Sequence, residues 1–143
     1  MTFTKLLFIP LEMLYGLITG IRNRLYDRKI IFKPQEFDIP SIVVGNLRAG
    51  GAGKTPLVEY LIQNLFNQYQ ITTLSRGYKR KSKGFRLAMD GDNAMTLGDE
   101  PYQYWLKYKN MIDVAVGEDR VIAITEIMMM RPENQLIILD DAF

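Results

Sequence analysis

The chain has 143 residues, 48% hydrophobic and 24% charged, which suits one cored domain and excludes intrinsic disorder as a description of the whole. It has neither cysteine nor histidine, so disulfides, thiolate metal sites, a cysteine nucleophile and imidazole acids, bases or ligands are all excluded. The net charge of +2 is uneven: six basic against three acidic residues through Glu36, six against one from Ile71 to Asp90, and six against twelve elsewhere. Two basic patches on an acidic body point to an anionic partner such as a membrane, a phosphate or a nucleic acid.

Residues 3–25 are strongly apolar, but Pro10 and Glu12 interrupt them, short of the roughly 18–20 unbroken apolar residues of a spanning helix. A cleavable signal peptide fits poorly, because only Lys5 precedes the apolar run and no small-x-small site follows. From Leu11 onward, Leu11, Leu14, Tyr15, Ile18, Ile21 and Leu25 share one helical face, followed by Arg22, Arg24, Arg28 and Lys29. This predicts an amphipathic helix lying in a membrane interface, with a helix docked on a partner domain as the alternative. Residues 1–36 are therefore expected as a membrane-associated segment and 37–143 as the core.

Beyond Pro34 the pattern becomes α/β. Ser41–Val44, Ile71–Leu74, Met111–Val116 and Leu136–Leu139 read as buried strands. Helices are expected after Pro56 (Leu57, Val58, Leu61, Ile62, Leu65), around Tyr102, Trp105 and Leu106, and from Glu118 to Met130, with Met128–Met130 as core and rim. Continuous apolar strands alternating with helices predict a parallel sheet covered on both faces. The chain ends at Phe143, soon after the fourth strand, and is expected to be a fragment.

The strongest chemical signal is Gly50-Gly51-Ala52-Gly53-Lys54-Thr55, between a strand and a helix. Glycines let successive amides converge on phosphate oxygens, and the following helix N-terminus favours anions. Lys54 would reach the β/γ-phosphates and the Thr55 hydroxyl would ligate Mg²⁺. Arg48 stands where the strict P-loop has glycine, although Gly50 and Gly51 supply flexibility; an ordinary glycine-rich turn is the alternative. Asp140-Asp141 follows an apolar strand, where carboxylates face the ligand crevice of a parallel sheet and can serve Mg²⁺. Alone, such a pair is a solvated turn.

Asp99, in Gly98-Asp99-Glu100-Pro101, has two readings: helix N-cap, or proton acceptor for an attacking hydroxyl. Residues 75–84, with Arg76 and Tyr78, form either a solvated basic loop or a grip on an anionic acceptor. One tyrosine offers no stacking platform, so no nucleic acid is expected.

Val44-Gly45-Asn46, the glycine-rich run through Pro56, Ser75-Arg76-Gly77-Tyr78, Lys81-Ser82-Lys83-Gly84, Gly98-Asp99-Glu100-Pro101, Val116-Gly117-Glu118-Asp119-Arg120 and Leu139-Asp140-Asp141-Ala142-Phe143 occur in that order. Together with Leu25-Tyr26-Asp27-Arg28 they resemble the tetraacyldisaccharide 4'-kinases, which act in lipid A biosynthesis in Gram-negative bacteria. The resemblance implies a P-loop NTPase-like fold and ATP-dependent phosphorylation of the 4'-hydroxyl of a lipid-linked glucosamine disaccharide 1-phosphate. It also implies a peripheral location at the cytoplasmic face of the inner membrane. Under it Asp99 becomes the general base, assisted in catalysis by Lys54. Arg48, Ala49, Gly50, Gly51, Ala52, Gly53, Lys54 and Thr55 become the ATP loop, where the family tolerates a non-glycine at position 48. Thr55, Asp140 and Asp141 become the Mg²⁺ site, with Arg76 and Arg120 as phosphate or acceptor contacts. Members of that family continue past this point with a Gln-His pair and a further portion carrying a histidine that assists the base. The alternatives are a nucleotide-dependent membrane-associated switch or assembly ATPase, and a fragment inactive by itself.

Overall fold

The computed structural model describes residues 3–27, 35–45 and 53–140. The chain falls into two units, Met1–Glu36 and Phe37–Phe143. The first contains α1 (Phe3–Asp27), which begins before Leu11 and runs through Pro10. Proline removes one backbone donor but does not end this helix. Among the described residues of α1, Met13, Leu14, Tyr15, Leu17, Ile18 and Ile21 are all exposed. Among the described residues, no helix is long and apolar enough to cross a membrane.

The second unit runs β1 (Ser41–Val44), α2 (Lys54–Leu65), β2 (Ile71–Ser75), β3 (Arg86–Leu87), α3 (Ala94–Leu97), α4 (Asp99–Tyr108), β4 (Asp113–Val116), α5 (Arg120–Met130) and β5 (Leu136–Asp140). The strands form one sheet in the order β1-β5-β2-β4-β3. All neighbours are parallel except β3, which pairs antiparallel with β4 through Arg86–Val116 and Leu87–Ala115. The sheet is thus mostly parallel rather than wholly so. A two-residue strand at an edge leaves no hydrophobic periodicity from which to predict it.

Strand alternation divides the core into two layers. Val114, Val116, Leu136 and Ile138 pack with Val58 and Ile62 of α2 and Tyr104 and Tyr108 of α4. Leu74, Ala115 and Ile137 face the other way, onto Ala123, Ile124 and Ile127 of α5. Each fully buried Ile, Leu or Val stabilises the fold by roughly 1.5–3 kcal/mol relative to exposure. The methionine run divides: Met128 is half-buried against this layer, whereas Met129 and Met130 are exposed. The helix marked by Tyr102, Trp105 and Leu106 is α4; it leaves Leu106 exposed and buries Pro101, Tyr104 and Tyr108.

The turn between β3 and α3 is held by buried Asp92. It accepts from Arg86 Nε (2.7 Å), Thr96 Oγ1 (2.7 Å) and the Met89 amide (3.0 Å). Burial alone would raise its pKa, but the bonds from Arg86, Thr96 and Met89, with the Arg86 charge, hold the carboxyl below the ordinary range. A depressed folded pKa contributes stability above the unfolded value that is lost as pH falls through the folded one. Asp92→Asn places an NH₂ donor among three donors and should cost about 2–4 kcal/mol. Urea melts at neutral pH test this, and the variant should also lose part of the parental decline in acid.

Candidate active site

The site lies where the C-terminal ends of three strands come level. Val44 is opposite Asp140 and Leu74 is opposite Leu139, so the exits of β1, β5 and β2 share one edge. That edge is the ligand crevice of an open parallel sheet. Residues 46–52 follow β1; the loop residues Arg48, Ala49, Gly50, Gly51 and Ala52 lie outside the described residues, as does Asp141. The described structure resumes at Gly53, whose φ of 74° is left-handed and suits glycine. Lys54 and Thr55 then open α2 and occupy its electropositive end.

A cavity of about 370 Å³ is lined by Lys54, Arg76, Tyr78, Lys79, Asp99 and Glu100, among others. Lys54, Arg76 and Asp99, singled out in the sequence for different reasons, therefore meet at one opening. Asp99 is the first residue of α4 and is exposed; the cap is Gly98, which offers no side chain, so the N-cap reading of Asp99 is corrected.

Asp99 and Arg76 are brought together by a glycine contact. Gly98 ends α3 and starts α4 in one residue, with φ 95° and ψ 159°. A Cβ there would lie 3.0 Å from the Tyr78 carbonyl oxygen and 3.1 Å from Gly77 Cα. The loop after β2 is also tied to α3, with the Lys81 amide donating to the Met95 carbonyl at 2.7 Å and the Ser82 hydroxyl to the Thr96 carbonyl. It is not simply a solvated basic loop. Arg80 has a side chain only 2% exposed, donates to the Gly84 carbonyl at 2.6 Å and pairs with Glu118 at 2.6 Å.

Behind the cavity, α4 holds two polar pairs. The Thr55 hydroxyl donates to Glu100 Oε1 at 3.4 Å. Tyr104 donates to Asp140 Oδ2 at 3.0 Å. Burial first, then the Asp140 carboxylate, push the phenol far above its ordinary pKa, so it stays a donor. Glu100 and Tyr104 were missed in the sequence, although their spacing of four puts them on one face of α4.

Arg120 does not line that cavity but sits beside Asp140 at the end of β5. It donates to the Gly117 carbonyl at 2.6 Å and the Asp140 carbonyl at 3.3 Å, clamping the start of α5 to the end of β5. Asp119 caps α5 through the Ile122 amide at 3.1 Å.

Among the described residues no three acidic side chains gather into a metal cage. Mg²⁺ binds through one or two carboxylates and substrate phosphates. Thr55 and Asp140 are hard oxygen donors of the right kind, each bonded to a side chain of α4: Thr55 to Glu100 and Asp140 to Tyr104.

The family model for tetraacyldisaccharide-1-P 4'-kinase matches residues 4–143. A tetraacyldisaccharide 4'-kinase of Flavobacterium johnsoniae is 52% identical over 97% of this chain and 40% of its own length. That of Flavobacterium psychrophilum is 52% identical over 100% of this chain and 41% of its own. The chain thus spans about two-fifths of these curated relatives. A crystal structure of LpxK from Aquifex aeolicus in complex with ATP is similar over 94% of this chain and 42% of that one, with 36% identity and a TM-score of 0.73. With the ordered motifs, the parallel sheet and the crevice residues in agreement, the chain belongs to the tetraacyldisaccharide-1-P 4'-kinase family.

Proposed function

We propose that this chain carries the nucleotide site and the catalytic base of a kinase that moves the γ-phosphoryl group of ATP to the 4'-hydroxyl of a tetraacylated glucosamine disaccharide 1-phosphate. The observation that carries this reading is the meeting of Lys54, Arg76 and Asp99 on one cavity. Asp99 accepts the proton of the attacking hydroxyl as its oxygen bonds to the γ-phosphorus; the bond to the β-phosphate oxygen breaks and ADP leaves. Lys54, at the α2 N-terminus, meets charge on the transferring group. Thr55 and Asp140, with Asp141 in sequence, would hold Mg²⁺, which neutralises phosphate charge when bound. Arg76 is suited to a phosphate of donor or acceptor.

Joining residues 1–143 to the remaining portion of the Flavobacterium johnsoniae relative gives the test. With ATP, Mg²⁺ and the lipid disaccharide, phosphorylated lipid should appear in equal amount to ADP. ADP without phosphorylated lipid would favour the switch or assembly ATPase instead.

We also place α1 in the membrane interface, at the cytoplasmic face of the inner membrane. Six large apolar side chains exposed on one helix support this, with Arg22 and Arg24 beside them. In flotation with phosphatidylethanolamine–phosphatidylglycerol vesicles, Leu14→Asp with Ile18→Asp should lower partitioning by at least about a hundredfold, given roughly 1.5–3 kcal/mol per buried side chain. Unchanged flotation would count against the placement.

A further inference from the structure

Tyr104 is 1% exposed, and its ring belongs to the layer of core between the sheet and α2 and α4. Its hydroxyl nevertheless donates to another element, Asp140 Oδ2 at the end of β5, at 3.0 Å. The neighbouring Glu100, on the same face of α4, accepts from the Thr55 hydroxyl at 3.4 Å. A threonine whose proton is engaged keeps oxygen lone pairs for a cation, and a carboxylate engaged at one oxygen is held in one rotamer. A phenylalanine at position 104 would fill the same core volume without the bond to Asp140.

We infer that Tyr104 is a positioning residue of the cation site, its hydroxyl holding the Asp140 carboxylate in the rotamer that accepts Mg²⁺ with the nucleotide. The inference rests on the kinase reading and adds to it a residue that touches neither substrate nor reacting atoms. Tyr108 provides an internal control. It lies one turn further along α4, is also buried, and its hydroxyl accepts from Gln63 Nε2 at 3.1 Å, away from Thr55 and Asp140.

The test uses this chain, a fluorescent N-methylanthraniloyl ATP and a titration with MgCl₂. Tyr104→Phe should melt cooperatively, bind the nucleotide without Mg²⁺ as the parent does, and need about 10–100-fold more Mg²⁺ for the half-maximal metal-dependent change. Tyr108→Phe should leave that midpoint in place. An unmoved midpoint in Tyr104→Phe, or equal shifts in both variants, would overturn the assignment while leaving the nucleotide site standing. Should Tyr104→Phe not fold, the parental chain labelled with ¹³Cζ-tyrosine decides. Adding Mg²⁺ to the nucleotide-bound chain should displace the Tyr104 resonance and spare that of Tyr108, and no displacement would overturn the inference. A parental chain that binds no nucleotide at any Mg²⁺ concentration would overturn the kinase reading and this inference with it.

Discussion

Replacing Asp99 by Asn in the chimera with the Flavobacterium johnsoniae portion should lower kcat by about 10²–10⁴-fold, the range for loss of a general base. The carboxamide keeps the shape of the side chain and the start of α4, so the cavity and the nucleotide loop are undisturbed. What is lost is the acceptor for the hydroxyl proton. KM for ATP should therefore move by less than about threefold, since an interaction made only in the transition state leaves substrate binding alone. Steady-state rates at saturating lipid, with a melting curve for each protein, make the comparison. A variant with unchanged kcat and a raised KM would make Asp99 a binding residue and return the base to another group.

The elements that build the crevice were legible because each carries a strong local signal. Ser41–Val44, Ile71–Ser75 and Leu136–Asp140 are apolar runs of strand length, and Pro56 lies in the first turn of α2. The edge strand Arg86–Leu87 was hidden by its brevity, and its orientation depends on the loop from β2, which the sequence marked only as basic. That loop also shows why a charge run is ambiguous. Arg76 faces the cavity, whereas Arg80, four residues on, is buried against Glu118, a partner 38 positions away.

The site was half legible for a related reason. Lys54, Asp99 and Asp140 stand at element boundaries that motifs mark, so each could be singled out by itself. Glu100 and Tyr104 become visible only when the phase of α4 is known, and that phase is set by Pro101, Tyr104 and Tyr108 meeting the core. Within the Val-Gly-Glu-Asp-Arg motif, Glu118 holds Arg80, Asp119 caps α5, and Arg120 ties the start of α5 to the Asp140 carbonyl at the crevice edge.

The junction at Gly98 should prove a highly sensitive backbone position in the core. Its φ of 95° and ψ of 159° lie in a region that is essentially restricted to glycine, and a side chain there is strained by about 1–3 kcal/mol. The added methyl would also press on the Tyr78 carbonyl and the Gly77 backbone at 3.0–3.1 Å. Neither is the end of a flexible side chain, so α4 and the loop after β2 must part. Gly98→Ala should thus lose about 3–5 kcal/mol, the upper end for a point substitution, and lower Tm by roughly 10–20 °C. Gly84→Ala separates the two causes. Gly84 also has a positive φ, 75°, but nothing lies within 4 Å of its added Cβ. It should lose only about 1 kcal/mol, the conformational part alone. The distinction extends to catalysis, because Gly98→Ala moves Asp99 relative to Arg76 and Gly84→Ala does not. Assayed well below its melting point, the Gly98 variant of the chimera should still lose at least about tenfold in kcat, as a displacement of about 1 Å at a reacting group does. Equal losses of stability in the two variants would mean that the close approach of Gly77 and Gly98 contributes nothing, and that another contact aligns the base with the loop.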